Sequence, residues 1–102
     1  MNKYLLLFHG GTMPASPEDG AQVMKAWTDW FTRLGDAVVD MGSPVGQVRT
    51  IAADGSVAPG DRHSVSGYTV LQAADMDAAV AMAKTAPPDP DMSWVVAETS
   101  SM

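Results

Sequence analysis

The order of segments along the chain predicts an α+β fold in which an antiparallel sheet carries two helices on one face. Three observations point to it. Strand-type and helix-type runs follow one another as strand, helix, strand with a hairpin, strand, helix, strand. Both helical runs open on a capping residue and close on a glycine or a proline cluster. The first strand carries large apolar residues on both of its sides, the mark of a central strand.

Lys3 to His9 is that first strand, with Tyr4, Leu6 and Phe8 facing one way and Leu5, Leu7 and His9 the other. Gly10 to Ser16 is a loop. Ser16 is placed to cap a helix that starts at Pro17, where Glu18 and Asp19 meet the positive end of the dipole. The helix runs to Leu34, and Gly35 supplies a left-handed stop. Its apolar stripe is Met24, Trp27, Phe31 and Leu34, widened by Val23 and Trp30. Lys25, Asp29 and Arg33 repeat at i, i+4 and i+8, which predicts two ion pairs on the solvated face.

Ala37 to Met41 is a short second strand ended by Gly42, Pro44 and Gly46. Val48 to Ala53 is another β-type stretch, turned back at Asp54-Gly55, and Ala58 to Ser64 is a loop. Ser66 to Ala73 is the next strand, with Tyr68, Val70 and Gln72 on one face. Asp75 caps a second helix from Met76 to Lys84, whose core stripe is Met76, Ala79, Val80 and Ala83. The run Ala86-Pro87-Pro88-Asp89-Pro90 ends it. Ser93 to Glu98 is the last strand, and Thr99 to Met102 is a tail expected to fray. This is the split βαβ order of a ferredoxin-like βαββαβ sandwich, in which the first strand lies between the third and the fourth. Its second face is left bare and apolar, which predicts self-association as a homodimer.

Composition bounds the function. A chain of 102 residues is the size of one domain, 1–102. Surface scaling gives roughly 15,500 Å² exposed when unfolded and about 5,500 Å² when folded, enough burial for a modest core. With no cysteine there is no disulfide framework, thiolate metal site or cysteine nucleophile. Twelve acidic against six basic residues give a net charge of −6, which argues against a nucleic-acid partner. The apolar run from Tyr4 to Phe8 is too short to span a membrane, and no leader pattern is visible, so the expected compartment is cytoplasmic.

Five pieces of the chain resemble the YCII-related family, including its DGPF branch. They are Lys3-Tyr4-Leu5-Leu6-Leu7, Trp27-Thr28-Asp29-Trp30-Phe31 running to Leu34-Gly35, Gly42-Ser43-Pro44, Ser66-Gly67-Tyr68-Thr69-Val70 and Asp75-Met76-Asp77-Ala78-Ala79. The resemblance implies a homodimer of the dimeric α+β barrel type with a cleft near the subunit interface. Some members of the family carry a His and an Asp on and after the first helix; the matching positions here are Met24 and Arg33. Gly60-Asp61-Arg62-His63 stands where the DGPF signature would lie. Members of that branch are often encoded beside sigma factors, which implies a signalling context.

His9 is the foremost candidate for chemistry, since an imidazole titrates near neutral pH and this one ends a central strand before Gly10-Gly11. A histidine hydrogen-bonded at a strand end is its structural alternative. Topology places Asp40, the start of the Tyr68 strand and Trp94 on the same rim, with Asp40 two strands and roughly 10 Å away. Asp40 is the nearest acidic candidate for a catalytic partner, and Tyr68 and Trp94 flank His9. Trp27 and Trp30 either line an apolar ligand cavity or pack as a core stripe, and the stripe is the commoner meaning. Arg49 is suited to a bidentate pair with a carboxylate ligand or is a solvated strand residue. No spacing of His, Asp and Glu suggests a metal, no phosphate loop is present, and no cofactor is implied.

Three readings of function stand open. One is a small-molecule-binding or accessory protein with a pocket near the subunit interface. Another is an enzyme using His9 as general acid or base with Tyr68 orienting a small-molecule substrate. The third is a regulatory partner acting through its interaction surface.

Overall fold

The computed structural model describes residues 1–12 and 14–100. In chain order the elements are β1 (Asn2–Gly10), α1 (Pro17–Leu34), β2 (Val38–Pro44), β3 (Arg49–Ile51), β4 (Val57–Pro59), β5 (Gly67–Ala73), α2 (Met76–Ala83) and β6 (Met92–Glu98). Four strands form one antiparallel sheet in the order β2-β5-β1-β6, and β3 and β4 form a separate two-stranded ribbon. The mixed α+β architecture is as expected, and the strand order is consistent with a ferredoxin-like sheet.

Both helices cover the same face of the sheet. Tyr4, Leu6 and Phe8 of β1 are buried there with Leu71 of β5, Trp30 of α1, and Ala79 and Ala83 of α2. The alanines let α2 approach the sheet closely, while the Trp30 ring fills the space under α1. Its indole Nε1 donates to Thr85 Oγ1 at 2.9 Å, so burying this large side chain strands no polar atom. The capping signals act as read: Ser16 Oγ accepts from the Asp19 amide at 3.1 Å, and Asp75 Oδ1 from the Ala78 amide at 2.8 Å.

Several details depart from the sequence reading, each for a local reason. Lys25 Nζ meets Asp29 Oδ2 at 2.9 Å, but no Asp29–Arg33 pair forms among the described residues. Met24 and Val23 do not join the core. Trp27 already packs on Phe8, near the end of β1, so the preceding ten residues of α1 run past the sheet by about 15 Å.

Gly42 does not end β2. At φ +72° it bulges, its amide donating to Asp40 Oδ1 at 2.7 Å, and the strand resumes to pair as far as Pro44. The strand Val57–Pro59 runs into the loop expected over Ala58 to Ser64, because an edge position tolerates Pro59's missing N–H. Thr99 is also tied down, its amide and its hydroxyl both donating to the Lys3 carbonyl, at 3.1 and 3.0 Å. The rest of the predicted tail is described only as far as Ser100, with Ser101 and Met102 outside the described residues.

The accessible surface is 6,925 Å², against the about 5,500 Å² expected for a chain of this mass. The excess has identifiable sources: the overhanging half of α1, the ribbon, and the sheet face opposite the helices.

Candidate functional site

β1 ends in a pinned corner. Gly10 and Gly11 take φ +78° and +102°, conformations that residues with a side chain rarely adopt. The Gly10 amide donates to the Arg62 carbonyl at 2.6 Å, and the Gly11 amide to the Asp91 carbonyl at 3.0 Å. A Cβ on Gly10 would run into that same Asp91 carbonyl. The corner is thus fixed between the loop before β5 and the segment before β6.

Asp89 completes the clamp. Its carboxylate accepts from the Thr12 amide at 2.8 Å, the Thr12 hydroxyl at 3.1 Å and the Asp91 amide at 2.9 Å. The Thr12 amide chiefly, then the Asp91 amide, hold its pKa below the ordinary 3.8; the Thr12 hydroxyl and the Arg62 guanidinium add to this, against the opposing effect of burial.

His9 sits at this corner with its ring aimed at the loop. Nδ1 lies 2.9 Å from the Ser64 carbonyl and 3.2 Å from the His63 carbonyl. Carbonyls only accept, so Nδ1 carries the proton and the neutral ring keeps its lone pair on Nε2. The loop that presents these carbonyls is held by Asp61, whose Oδ1 accepts from the His63 amide at 2.9 Å. His9 is therefore a half-buried, tautomer-fixed imidazole able to accept a hydrogen bond or a proton.

The expected companions of His9 are only partly assembled. Tyr68 is on the same sheet face; it opposes Leu7, one diagonal step from His9, and Ser93 lies directly across. Asp40 is not on this rim. It pairs with Val70, which pairs with Leu5, four residues short of His9, so the separation is about 16 Å from strand geometry. A β2 that ended near Met41 would bring Asp40 level with His9; the strand instead continues to Pro44 and carries Asp40 away from that end. Trp94 is on the opposite face, its ring 6.2 Å from that of Phe8 and its Nε1 donating to the Ala83 carbonyl at 2.9 Å.

Trp27 also belongs to the helix side. It meets Phe8 edge-on at 5.1 Å and Trp30 at 5.5 Å, so the packed stripe prevails over the ligand cavity. Arg49 is exposed on the ribbon, opposite Pro59. The sequence reading missed Thr12, Arg62 and Asp89. The Asp89-Pro90-Asp91 run carried a usable signal, since an Asp accepting from the amide two residues on is a turn motif.

Two surface grooves, of about 280 and 570 Å³, lie elsewhere. One borders Asp36, Gln72 and Met82, and the other Asp29, Arg33 and Pro87. Neither is lined by His9 or Tyr68. Among the described residues no cluster of three His, Asp or Glu side chains is placed to hold a metal ion, and no helix is long and apolar enough to cross a membrane. Compared with known protein families, curated proteins and solved structures, the chain matches none.

Proposed function

We propose that this chain is a dimeric small-molecule-binding protein of the YCII-related type, with a ferredoxin-like fold of the dimeric α+β barrel kind and a pocket beside His9 at the subunit interface. The observation that carries this reading is the uncovered sheet face. Leu5 and Leu7 of β1, Tyr68 and Val70 of β5, and Val95 and Ala97 of β6 form adjoining rows on it. Val95 is 50% exposed, and among the described residues no helix packs there. A second copy apposed to this face removes the apolar rows from water. It also walls the end of the sheet where His9 offers its acceptor nitrogen.

The enzyme reading keeps one specific support, the fixed tautomer of His9, which suits a general base. Asp40 has no part in it at the distance described above, so His9 would be oriented by the backbone carbonyls of His63 and Ser64.

Sedimentation equilibrium across a range of concentrations tests the assembly. The expected mass is twice 10.7 kDa, falling toward 10.7 kDa in Val95→Asp with the circular dichroism spectrum unchanged. A fragment screen read on the His9 imidazole NMR signals tests the pocket. Fragments should move the His9 signals in the dimer and not in Val95→Asp. A monomer at every concentration, or His9 signals that no fragment moves, would overturn the reading.

A further inference from the structure

Two segments stand beyond the His9 end of the sheet. One is the first half of α1, where Val23 and Met24 are exposed. The other is the β3–β4 ribbon, which leaves the sheet after Pro44 and returns at Gly67. Every residue of β3 and β4 is exposed. Ile51 and Val57 oppose each other directly and are 71% and 58% exposed. Arg49 and Pro59 form the other in-line pair, two residues along, so these four side chains share one face of the ribbon.

A lone two-stranded hairpin is marginal in water, and an apolar cross-strand pair on one gains little while both residues remain solvated. This ribbon is nonetheless regularly built. The Ala52 amide donates to the Ser56 carbonyl at 2.8 Å, Gly55 takes φ +90° in the turn, and the Gly60 amide closes the base on the Val48 carbonyl at 2.8 Å. The radius of gyration is 14.8 Å, against about 12.8 Å for a compact chain of this length. The surface excess over the compact expectation is roughly 1,400 Å², and a stable protein interface removes about 800 Å² per partner.

We propose that the ribbon is an arm whose Arg49–Ile51–Val57–Pro59 face lies on a second copy of this chain. The rim around His9 is then closed by residues of both copies. This rests on the dimer reading above and specifies which further segment makes the interface.

The test compares Ile51→Lys/Val57→Lys with Val95→Asp by sedimentation equilibrium. Hydrogen exchange of the unaltered protein is followed alongside, at concentrations above and below its dissociation constant. The expected results are a dissociation constant raised at least tenfold in each variant, and ribbon amides that lose protection on dilution. A dimer weakened by Val95→Asp alone, with ribbon exchange independent of concentration, would overturn the arm and leave the sheet-face dimer standing. A dimer weakened by the ribbon pair alone would overturn the sheet face and support the arm. A monomer at every concentration would overturn both.

Discussion

The two faces of β1 are made of nearly the same material and meet different fates. Tyr4, Leu6 and Phe8 disappear beneath the helices, whereas Leu5, Leu7 and His9 remain half-buried on a face that no helix covers among the described residues. Hydrophobicity alone does not distinguish them. What decides is the partner layer: Trp30, Ala79 and Ala83 fit one face, and the described residues offer the other no equivalent. Apolar content that exceeds what one copy covers is surface left for another molecule.

Truncating one leucine on each face is the most direct way to break this comparison. Leu6→Ala removes a fully buried side chain, with an expected loss of about 3 kcal/mol that is independent of protein concentration. Leu7→Ala should cost about 1 kcal/mol in dilute solution, where its neighbours already leave it partly wet. Its cost should grow with concentration, because a residue at a subunit contact stabilises through mass action. Urea unfolding of both variants at two concentrations bracketing the dissociation constant reads the difference. Equal losses at both concentrations would mean that the second face is not an association surface.

What was legible in the sequence divides along the same line. Both capped helices, the central place of β1 and the register-defining alternation of β5 follow from local rules that act within a few residues. The positions of Asp40 and Trp94 do not. Asp40 lies off the expected rim because β2 bulges at Gly42 and runs on to Pro44, and the close backbone approach of Gly42 to Tyr68 is something no periodicity reports. Trp94 neighbours His9 in strand order yet faces the helices, because it pairs with Phe8 and side chains one residue apart point to opposite faces. The alternation within β1 and within β5 is legible from each strand alone, but that His9 and Tyr68 share a face follows only from the pairing of Leu7 with Tyr68. The Asp89 clamp joins residues 77 apart in sequence, beyond any local signal.

The edge of the open face is the next point of attack. Gly42 combines φ +72° with a Cα packed so closely on Tyr68 that an added Cβ would strike its carbonyl. Gly42→Ala should cost about 2 kcal/mol, combining positive-φ strain with displacement of β2 from β5. The disturbance should be one-sided: amide exchange should quicken at Tyr68 and Val70, while the indole N–H signal of Trp30 stays in place. If the Trp30 signal moves as far as those of β5, the two faces are not separable.

Where the faces meet, at the His9 end, Asp89 offers the smallest and most specific test. Its carboxylate is held below the ordinary 3.8 chiefly by the Thr12 and Asp91 amides, so its ionised form stabilises the folded state. For a lowered folded pKa, that stabilisation is fully present above the unfolded value and is lost as pH falls through the folded one. Asp89→Asn keeps one acceptor oxygen but loses the charge. Since the site is partly solvated, the expected cost near pH 7 is only about 1 kcal/mol. The gap between variant and parent should be constant from pH 7 to about pH 5, then close as pH drops below 3.8. Thermal unfolding across that range measures it. A gap that persists unchanged at pH 2 would assign the loss to packing and remove the charged clamp from the account of how β1 delivers His9 to the rim.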